Sequence, residues 1–211
     1  MNGQLDLIEY LEKKIMSDDL DARRLDEMDK YDRTYARTDK KYRMSRPRFR
    51  DAVRAMEKVA PDRRSSYLDV SCGYGAMLDA ATTMGFQRVH GTEIIPKLID
   101  GERVFYAEAH SLPFHEQFDV VSNFDVIEHL LPGDDEALCR EMRRLARFHI
   151  FIMANNDDSL NQFGEQLHVN KRLHDEWHLL FEKWFAPFSR IARLPSRHQT
   201  NRISQMWRID I

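Results

Sequence analysis

The sequence predicts an α/β fold in which helices cover both faces of a mostly parallel β-sheet. A short apolar strand ends in Asp69 and is followed by a loop with two closely spaced glycines and then by a helical pattern. A further strand ends in Glu93, about twenty residues later, which is a typical interval between two neighbouring parallel strands with a crossover helix. Short apolar segments then alternate with helical patterns as far as residue 154.

The glycine loop indicates a site where the backbone approaches a ligand. Gly73 and Gly75 lack a Cβ atom that would block close contact. The loop opens a helix, whose first N–H groups point towards whatever is bound there. A Gly-x-Gly loop is weak evidence by itself, but an acid at the end of the next strand strengthens it, since such an acid holds a ribose.

The other elements follow from hydrophobic periodicity and breaker residues. Leu5, Ile8, Leu11 and Ile15 have helical spacing, and a second helix is predicted over 45–59. Strands are predicted over 66–70, 88–92, 104–107, 118–123 and 149–154, and helices over 76–84, 134–146 and 171–185. The segment 96–101 leaves room only for a reduced helical turn. Two final strands, over 188–194 and 203–211, are expected to pair as an antiparallel hairpin at the sheet edge.

Four motifs of the chain resemble the class I S-adenosylmethionine-dependent methyltransferases. Residues 68–75 resemble the first motif of that family, 91–93 the second, 106–114 the segment that frames the adenine, and 118–130 the fourth strand with the turn after it. Because all four occur in the family's order, the joint match is more specific than any single motif. The resemblance implies a doubly wound, Rossmann-like, seven-stranded sheet and S-adenosyl-L-methionine as the cofactor.

The resemblance also implies where the methyl donor binds. Glu93 is expected to accept hydrogen bonds from both ribose hydroxyls, which a carboxylate can do in a fork. Asp69 is expected near the amino-acid end of the donor or against the backbone of the glycine loop, and the Phe124 ring is expected to face the sulfonium. The predicted cofactor-binding residues are Asp69, Ser71, Gly73, Gly75, Glu93, Ile94, Glu108, Ala109, Asn123 and Phe124.

Ser71 departs from the first motif of the family, which usually has glycine there. A positive φ at serine costs about 1–2 kcal/mol. Because the motif is otherwise intact, we predict a negative φ at Ser71.

Residues after the fourth strand lie nearest the transferred methyl group in this fold, and they supply the predicted catalytic residues His129 and Asp125. A general base contributes about 10²–10⁴ in rate to a hydroxyl acceptor. His129 is the candidate base, although a structural histidine at a helix terminus is an alternative interpretation. His110, His168 and His174 are lesser candidates. No carboxylate cluster for a metal ion can be assembled from the pattern, so no metal ligand is predicted.

The net charge of −3 conceals an asymmetry. Residues 1–36 carry six Lys/Arg and ten Asp/Glu, whereas residues 37–64 carry eleven Lys/Arg and four Asp/Glu. This basic segment is compatible with a solvated helix surface, with attraction of an anionic substrate, or with contact to nucleic-acid phosphate.

The remaining patterns limit the function and the location. No apolar run has the length of a membrane span, the N-terminus lacks a signal pattern, and two cysteines support neither a disulfide framework nor a zinc cluster, so a cytoplasmic location is expected. Strand four ends in Asn-Phe-Asp-Val. It lacks the Asn/Asp-Pro-Pro-aromatic pattern that resembles the motif of enzymes that methylate base amino groups or glutamine.

We therefore predict methyl transfer from S-adenosylmethionine to a small-molecule or saccharide-type acceptor at oxygen. Residues 1–45 are predicted to form a helical lid that selects the acceptor, and 46–211 the methyltransferase domain. Two alternatives stay open: a nucleic-acid methyltransferase that uses the basic segment 37–64, and a catalytically inactive protein that binds S-adenosylmethionine and acts through a partner.

Overall fold

The computed structural model describes residues 2–36, 44–59, 65–187, 189–195 and 203–211, with side chains described from Asp19 onward. The chain divides into two units, 1–41 and 42–211. The side chains of the predicted stripe Leu5, Ile8, Leu11 and Ile15 lie outside the described residues, as do Lys40, Lys41 and Arg43 of the basic segment.

The first unit contains one long helix, α1 (Asn2–Ala36). Ion pairs one turn apart run along it, such as Arg24 with Asp21 at 2.9 Å and Lys30 with Glu27. Pairs at this spacing contribute only tenths of a kcal/mol each. The sequence predicts a helix at the start of this segment and a mixture of helix and loop after residue 18, whereas the helix continues to Ala36.

The second unit is built on a seven-stranded sheet with the strand order β3-β2-β1-β4-β5-β7-β6. The strands are β1 (Ser66–Asp69), β2 (Arg88–Glu93), β3 (Val104–Tyr106), β4 (Phe118–Phe124), β5 (Ala146–Asn155), β6 (Arg190–Leu194) and β7 (Ser204–Asp210). The first five strands are parallel, and β7 runs antiparallel to both β5 and β6. The predicted doubly wound sheet with an antiparallel C-terminal hairpin is confirmed.

Four helices belong to this second unit: α2 (Arg46–Glu57), α3 (Ala76–Met84), α4 (Asp134–Leu145) and α5 (His174–Trp184). Short 3₁₀ turns occupy Pro96–Leu98 and Ile127–His129, and the first of them is the predicted reduced connection. None of the helices in the described parts of the chain is long and apolar enough to cross a membrane.

Strand β5 begins three residues before the predicted position. Phe118 pairs with Ala146 and Val120 pairs with His149, so β5 has an extra residue opposite β4 at this point. A bulge of this kind lets strand pairing start directly after α4 ends at Leu145. The exposed Arg147 and Phe148 hide this extension in the sequence pattern.

Side chains that alternate along the strands form a core on each face of the sheet. Leu68, Val121 and Ile150 pack with residues of α4 and α5, whereas Tyr67 and Phe151 pack with residues of α2 and α3. Both faces are therefore covered, as parallel strands require.

The order of the strands creates a switch point between β1 and β4. The chain moves from β1 outwards to β2 and β3, and then returns to place β4 on the other side of β1. Ligands of open α/β sheets bind outside the carboxyl ends of the strands at such a point. Asp69, Glu93 and Phe124 end β1, β2 and β4 at this edge.

Candidate functional site

The glycine loop after β1, defined here as residues 70–75, has left-handed backbone at three positions. The φ angles are 59° at Ser71, 54° at Gly73 and 72° at Gly75. The prediction of a negative φ at Ser71 is therefore wrong. Thr92 explains the difference, because the Ser71 N–H donates to its Oγ1 at 3.2 Å and the Cys72 N–H donates to its carbonyl at 2.9 Å. These contacts bend the loop onto β2, which requires the left-handed turn that glycine adopts at lower cost.

Glu93 lies directly against this loop. One carboxylate oxygen accepts the Gly73 N–H at 2.9 Å, and the other accepts the Ile94 N–H at 2.8 Å and the Ile95 N–H at 3.3 Å. Burial raises the pKa of the Glu93 carboxyl, while these N–H donors act in the opposite direction. A carboxylate offers about four lone-pair sites, so acceptor capacity for a ligand hydroxyl is left at a fixed position.

Gly91 allows the loop to approach β2 so closely. A Cβ atom at this position would lie 2.5 Å from Cys72 Sγ and 2.9 Å from Leu78 Cδ1. Both distances are shorter than van der Waals contact, so any larger residue would push the loop away from Glu93.

Asp69 is held by side chains. Ser122 on β4 donates its hydroxyl to Asp69 Oδ1 at 2.5 Å, and Tyr67 therefore donates its own hydroxyl to Ser122 Oγ, also at 2.5 Å. Burial raises the pKa of Asp69 to about 7, and the hydrogen bond from Ser122 opposes that rise. Neither Tyr67 nor Ser122 was predicted as a site residue, although Ser122 lies within the motif at 118–130.

The other residues predicted to bind the methyl donor lie in different environments around this edge of the sheet. Asn123 is fully buried and donates to the Val70 carbonyl at 3.1 Å, which ties β4 to the glycine loop. Phe124 and Ala109 lie in the cores on opposite faces of the sheet. Glu108 is partly exposed beside His110, at 3.6 Å. Ile94 is partly buried.

A second group of polar residues lies at the ends of β4 and β5, and we call it the polar cluster. Its members come from four separate segments of the chain: Arg48 from α2, Asp125, Glu128 and His129 from the turn after β4, Asn155 from β5, and His168 from the loop before α5.

The backbone is left-handed at the first residue of this turn, Asp125, with φ 58°. The Asp125 N–H donates to the Met153 carbonyl at 3.1 Å, which anchors the turn to β5. The 3₁₀ turn that follows buries Glu128 and His129. Asn155 joins both acids, since its Nδ2 donates to Asp125 Oδ1 at 3.1 Å and to Glu128 Oε1.

Arg48 neutralises Asp125. Its Nε lies 2.8 Å from Asp125 Oδ2, and its Nη1 donates to Asn155 Oδ1 at 3.0 Å. Burial raises the pKa of Asp125 to about 6, and the positive charge of Arg48 opposes this rise. Arg48 lies in the basic segment 37–64. Its side chain points inwards, whereas Arg46, Arg50 and Arg54 are exposed.

His129 and His168 face each other. Their ring centroids are 4.6 Å apart with an angle of 78° between the planes. His129 Nδ1 lies 3.0 Å from the Leu167 carbonyl, and His168 Nδ1 lies 2.7 Å from the Asp157 carbonyl. A carbonyl only accepts, so each Nδ1 carries the proton. Burial lowers the pKa of His168, which favours the neutral ring.

Glu128 completes a group of three potential metal ligands with these two histidines. Ligand atoms of Glu128, His129 and His168 all lie within 4.8 Å of one another, and all three residues are buried. The sequence predicts no metal ligand, and His168 is only a lesser catalytic candidate there. The pairing of residues 128 and 129 with residue 168 depends on a loop whose path has no signal in the sequence. His174, by contrast, contacts the Ile203 carbonyl at 3.2 Å from the first turn of α5.

Comparisons with known proteins agree with this architecture. A family model described as a methyltransferase domain matches residues 42–207. None of the curated protein sequences compared with the chain matches it.

Among solved structures, an amino pentose methyltransferase from Micromonospora echinaspora with bound S-adenosylmethionine is 15% identical, with 79% of this chain and 92% of that chain covered at a TM-score of 0.57. An S-adenosylmethionine-dependent methyltransferase from Clostridium acetobutylicum is 9% identical, with coverage of 87% and 98% and a TM-score of 0.59. A glycopeptide N-methyltransferase in complex with S-adenosyl-L-homocysteine is 10% identical, with coverage of 76% and 89% and a TM-score of 0.57.

At these identities the solved structures establish the fold, and the family model, which spans most of the chain, establishes the family. The strand order, the glycine loop after β1 and the acid at the end of β2 are features of open α/β folds that bind nucleotide cofactors. The chain therefore belongs to the class I S-adenosylmethionine-dependent methyltransferases.

Proposed function

We propose that the protein transfers the methyl group of S-adenosylmethionine to an oxygen atom of a small-molecule or saccharide-type acceptor. The observation that carries the proposal is the polar cluster at the carboxyl ends of β4 and β5. Strand β4 is the neighbour of β1, whose carboxyl end carries the glycine loop. Acceptor groups in the cluster would therefore lie beside the donor.

The buried proton acceptors of the cluster favour a hydroxyl over an amine as the attacking group. A neutral amine attacks with its own lone pair, whereas a hydroxyl gains reactivity when a base removes its proton in the transition state. The base we propose is His129, because its Nδ1–H donates to the Leu167 carbonyl, which makes Nε2 the basic nitrogen of the neutral ring. Asp125 is paired with Arg48, so its proposed role is to hold Glu128 and the rest of the polar cluster in place through Asn155.

In the donor site, we propose that Glu93 binds the ribose, as its fixed carboxylate supports. Gly73 and Gly75 would let the backbone approach the donor, and Asp69 would face its amino-acid end. Ile94, Glu108 and Ala109 would surround the adenine. The contacts of Asn123 and Phe124 support positions behind the sulfonium, where they shape the site.

The acceptor class has partial support from similar proteins. One structural neighbour is an amino pentose methyltransferase and another is a glycopeptide N-methyltransferase. Both names support a sugar-bearing acceptor, and the second keeps nitrogen as a possible outcome of the test.

The test is an acceptor screen with a methyl-labelled donor. Hydroxylated small molecules and sugars, their amino counterparts, and RNA and DNA oligonucleotides are compared at equal concentration, and products are identified by mass spectrometry. We expect label on oxygen of a small molecule. Label on nitrogen, or on nucleic acid with loss of the signal in an Arg46→Glu/Arg50→Glu variant, would overturn the proposal. Donor binding without turnover of any acceptor would favour the inactive binding protein.

We further propose that residues 1–45 act as a lid that selects the acceptor. The highly charged and tyrosine-rich composition of this segment supports a role in substrate choice. Deletion of residues 1–36 is expected to weaken turnover, while thermal unfolding of the remaining domain stays cooperative. Unchanged kinetic constants in the truncated protein would contradict a lid.

A further inference from the structure

We propose that Glu128, His129 and His168 bind a divalent transition-metal ion whose open positions take the acceptor hydroxyl. The proposal rests on the proposed oxygen methylation for the role of the ion, but its binding is independent of the acceptor. It also changes the role of His129 from a base to a metal ligand.

The ligand atoms of the three residues are close enough to meet around one ion. They lie within 4.8 Å of one another, and His168 Nε2 lies 4.0 Å from Glu128 Oε1. Around one ion with metal–ligand distances of about 2.0–2.2 Å, ligand atoms are roughly 3–3.5 Å apart. Side-chain rotations that close the group by about 1 Å suffice.

Main-chain carbonyls fix the orientation of the two histidine rings. Each ring donates its Nδ1–H to a main-chain carbonyl, His129 to Leu167 and His168 to Asp157. Metal-binding histidines are characteristically held in this way, because the outer hydrogen bond fixes the tautomer and makes the other nitrogen a better ligand. His168 turns its Nε2 atom towards Glu128, at 4.0 Å from Oε1, and His129 lies beside both residues.

Glu128 has a buried carboxylate oxygen that lacks a hydrogen-bond partner among the described residues. The side chain is completely buried, and this oxygen is Oε2. Arg48, whose positive charge acts on Glu128, is already paired with Asp125 at 2.8 Å. A buried carboxylate is costly unless it is paired or coordinates a metal, and a cation between Glu128 and the two histidines would satisfy this oxygen.

The donor set indicates which ions would bind. Two imidazoles and one carboxylate suit Zn²⁺, Fe²⁺, Co²⁺ or Mn²⁺, whereas Mg²⁺ and Ca²⁺ prefer oxygen ligands alone. Three protein ligands leave positions open for an acceptor oxygen. A bound ion lowers the pKa of a coordinated hydroxyl or water. The acceptor oxygen would form its bond to the methyl carbon as the carbon–sulfur bond breaks towards sulfur, and the hydroxyl proton would leave to water.

The first experiment measures metal binding without any acceptor. Protein treated with a chelator and then dialysed is titrated with Co²⁺ by absorption spectroscopy and with Zn²⁺ and Mn²⁺ by calorimetry. We expect one ion per chain. Outer-shell substitutions cost about 10–100-fold in affinity, so His168→Ala, which removes a ligand, is expected to cost about 100-fold or more. The control His115→Ala, an exposed histidine, should bind as the wild type does.

Because a buried variant can fail to fold, His168→Ala and Glu128→Gln are first compared with the wild type by circular dichroism and by donor titration. A folded, donor-binding variant that retains wild-type metal affinity would overturn the site. The site would also be overturned if the wild type, after chelator treatment and dialysis, bound none of the three ions.

Activity then separates this inference from the proposed function. Oxygen methylation that survives complete metal removal would leave the proposed function standing and contradict the catalytic role of the ion. Metal binding together with methylation at nitrogen would contradict the proposed function and leave the site standing.

Discussion

Glu93, on the proposed donor side of this sheet edge, and the polar cluster, on the proposed acceptor side, are stabilised by different kinds of contact. On the donor side, main-chain N–H groups of the glycine loop and of β2 hold Glu93. On the acceptor side, the polar cluster is held by side chains from four distant segments, with Asn155 joining Asp125 to Glu128. A backbone-held site tolerates changes in the surrounding side chains, whereas a side-chain network depends on every member.

Charge compensation differs in the same way. The Glu93 carboxylate is stabilised by three N–H dipoles, and no cation among the described residues is in direct contact with it. Asp125 has a full positive charge at 2.8 Å, supplied by Arg48 from α2. Loss of one N–H contact would weaken the donor site slightly, but loss of Arg48 would leave a buried acid uncompensated.

The largest expected effect tests this dependence on Arg48. We expect Arg48→Met to lower the free energy of unfolding by about 2–4 kcal/mol, because breaking a buried ion pair costs about 3–5 kcal/mol and this pair retains some solvent contact. Urea unfolding measures the change. Arg50→Met, an exposed neighbour on the same helix, should stay within about 0.5 kcal/mol of the wild type.

A double variant makes the interpretation specific. If the cost arises from an uncompensated Asp125 charge, Arg48→Met/Asp125→Asn should recover part of the lost stability. Equal destabilisation in the single and double variants would show that lost packing of Arg48, not charge, is responsible.

The second effect concerns donor affinity. We expect Glu93→Ala to raise the Kd for S-adenosylmethionine about 30–100-fold, because two charge-assisted hydrogen bonds to the ribose are lost and each contributes about 1.5–3 kcal/mol before reorganisation. Calorimetric titration with the donor and with S-adenosylhomocysteine measures it. The exposed Glu102→Ala serves as the control. A change of less than threefold in the Glu93 variant would mean that the ribose is held elsewhere.

Much of the donor side could be predicted from the sequence, and the reason is physical. A backbone-held site requires glycine at 73, 75 and 91 and an acid at the end of a strand, and these requirements are visible in residue types at fixed spacings. The polar cluster has no such spacing, because Arg48, Asn155 and His168 are brought to Asp125 only by folding. Ser71 was misjudged for a related reason: its φ is set by hydrogen bonds that join the glycine loop to Thr92 on β2.

The third prediction uses the raised pKa of Asp69 on the donor side. Burial raises this pKa to about 7, above its ordinary value of about 3.9. Between these two values the folded state binds more protons than the unfolded state, so stability falls as the pH rises from about 4 to 7. Asp69→Asn removes the titrating carboxyl group. The fall in the free energy of unfolding between about pH 4 and 7 is therefore expected to be smaller than in the wild type by at least about 1 kcal/mol.

Urea midpoints measured at several pH values test the prediction about Asp69. Asp79→Asn, an exposed acid on α3, should leave the profile unchanged. An Asp69→Asn profile parallel to that of the wild type would mean that Asp69 is ionised in the folded protein and that its hydrogen bonds outweigh its burial.

The smallest expected effect concerns the one non-glycine residue in the glycine loop that has left-handed backbone. Ser71→Gly relieves a cost of about 1–2 kcal/mol, but glycine also gains about 0.5–1 kcal/mol of entropy in the unfolded chain. We therefore expect a net stabilisation of about 0.5–1 kcal/mol, seen as a small rise in Tm. Ser71→Ala is the matched control, since it keeps the strain and should not stabilise. Stabilisation by both substitutions would place the cost in the serine hydroxyl, and stabilisation by glycine alone would place it in the backbone, as the contacts to Thr92 require.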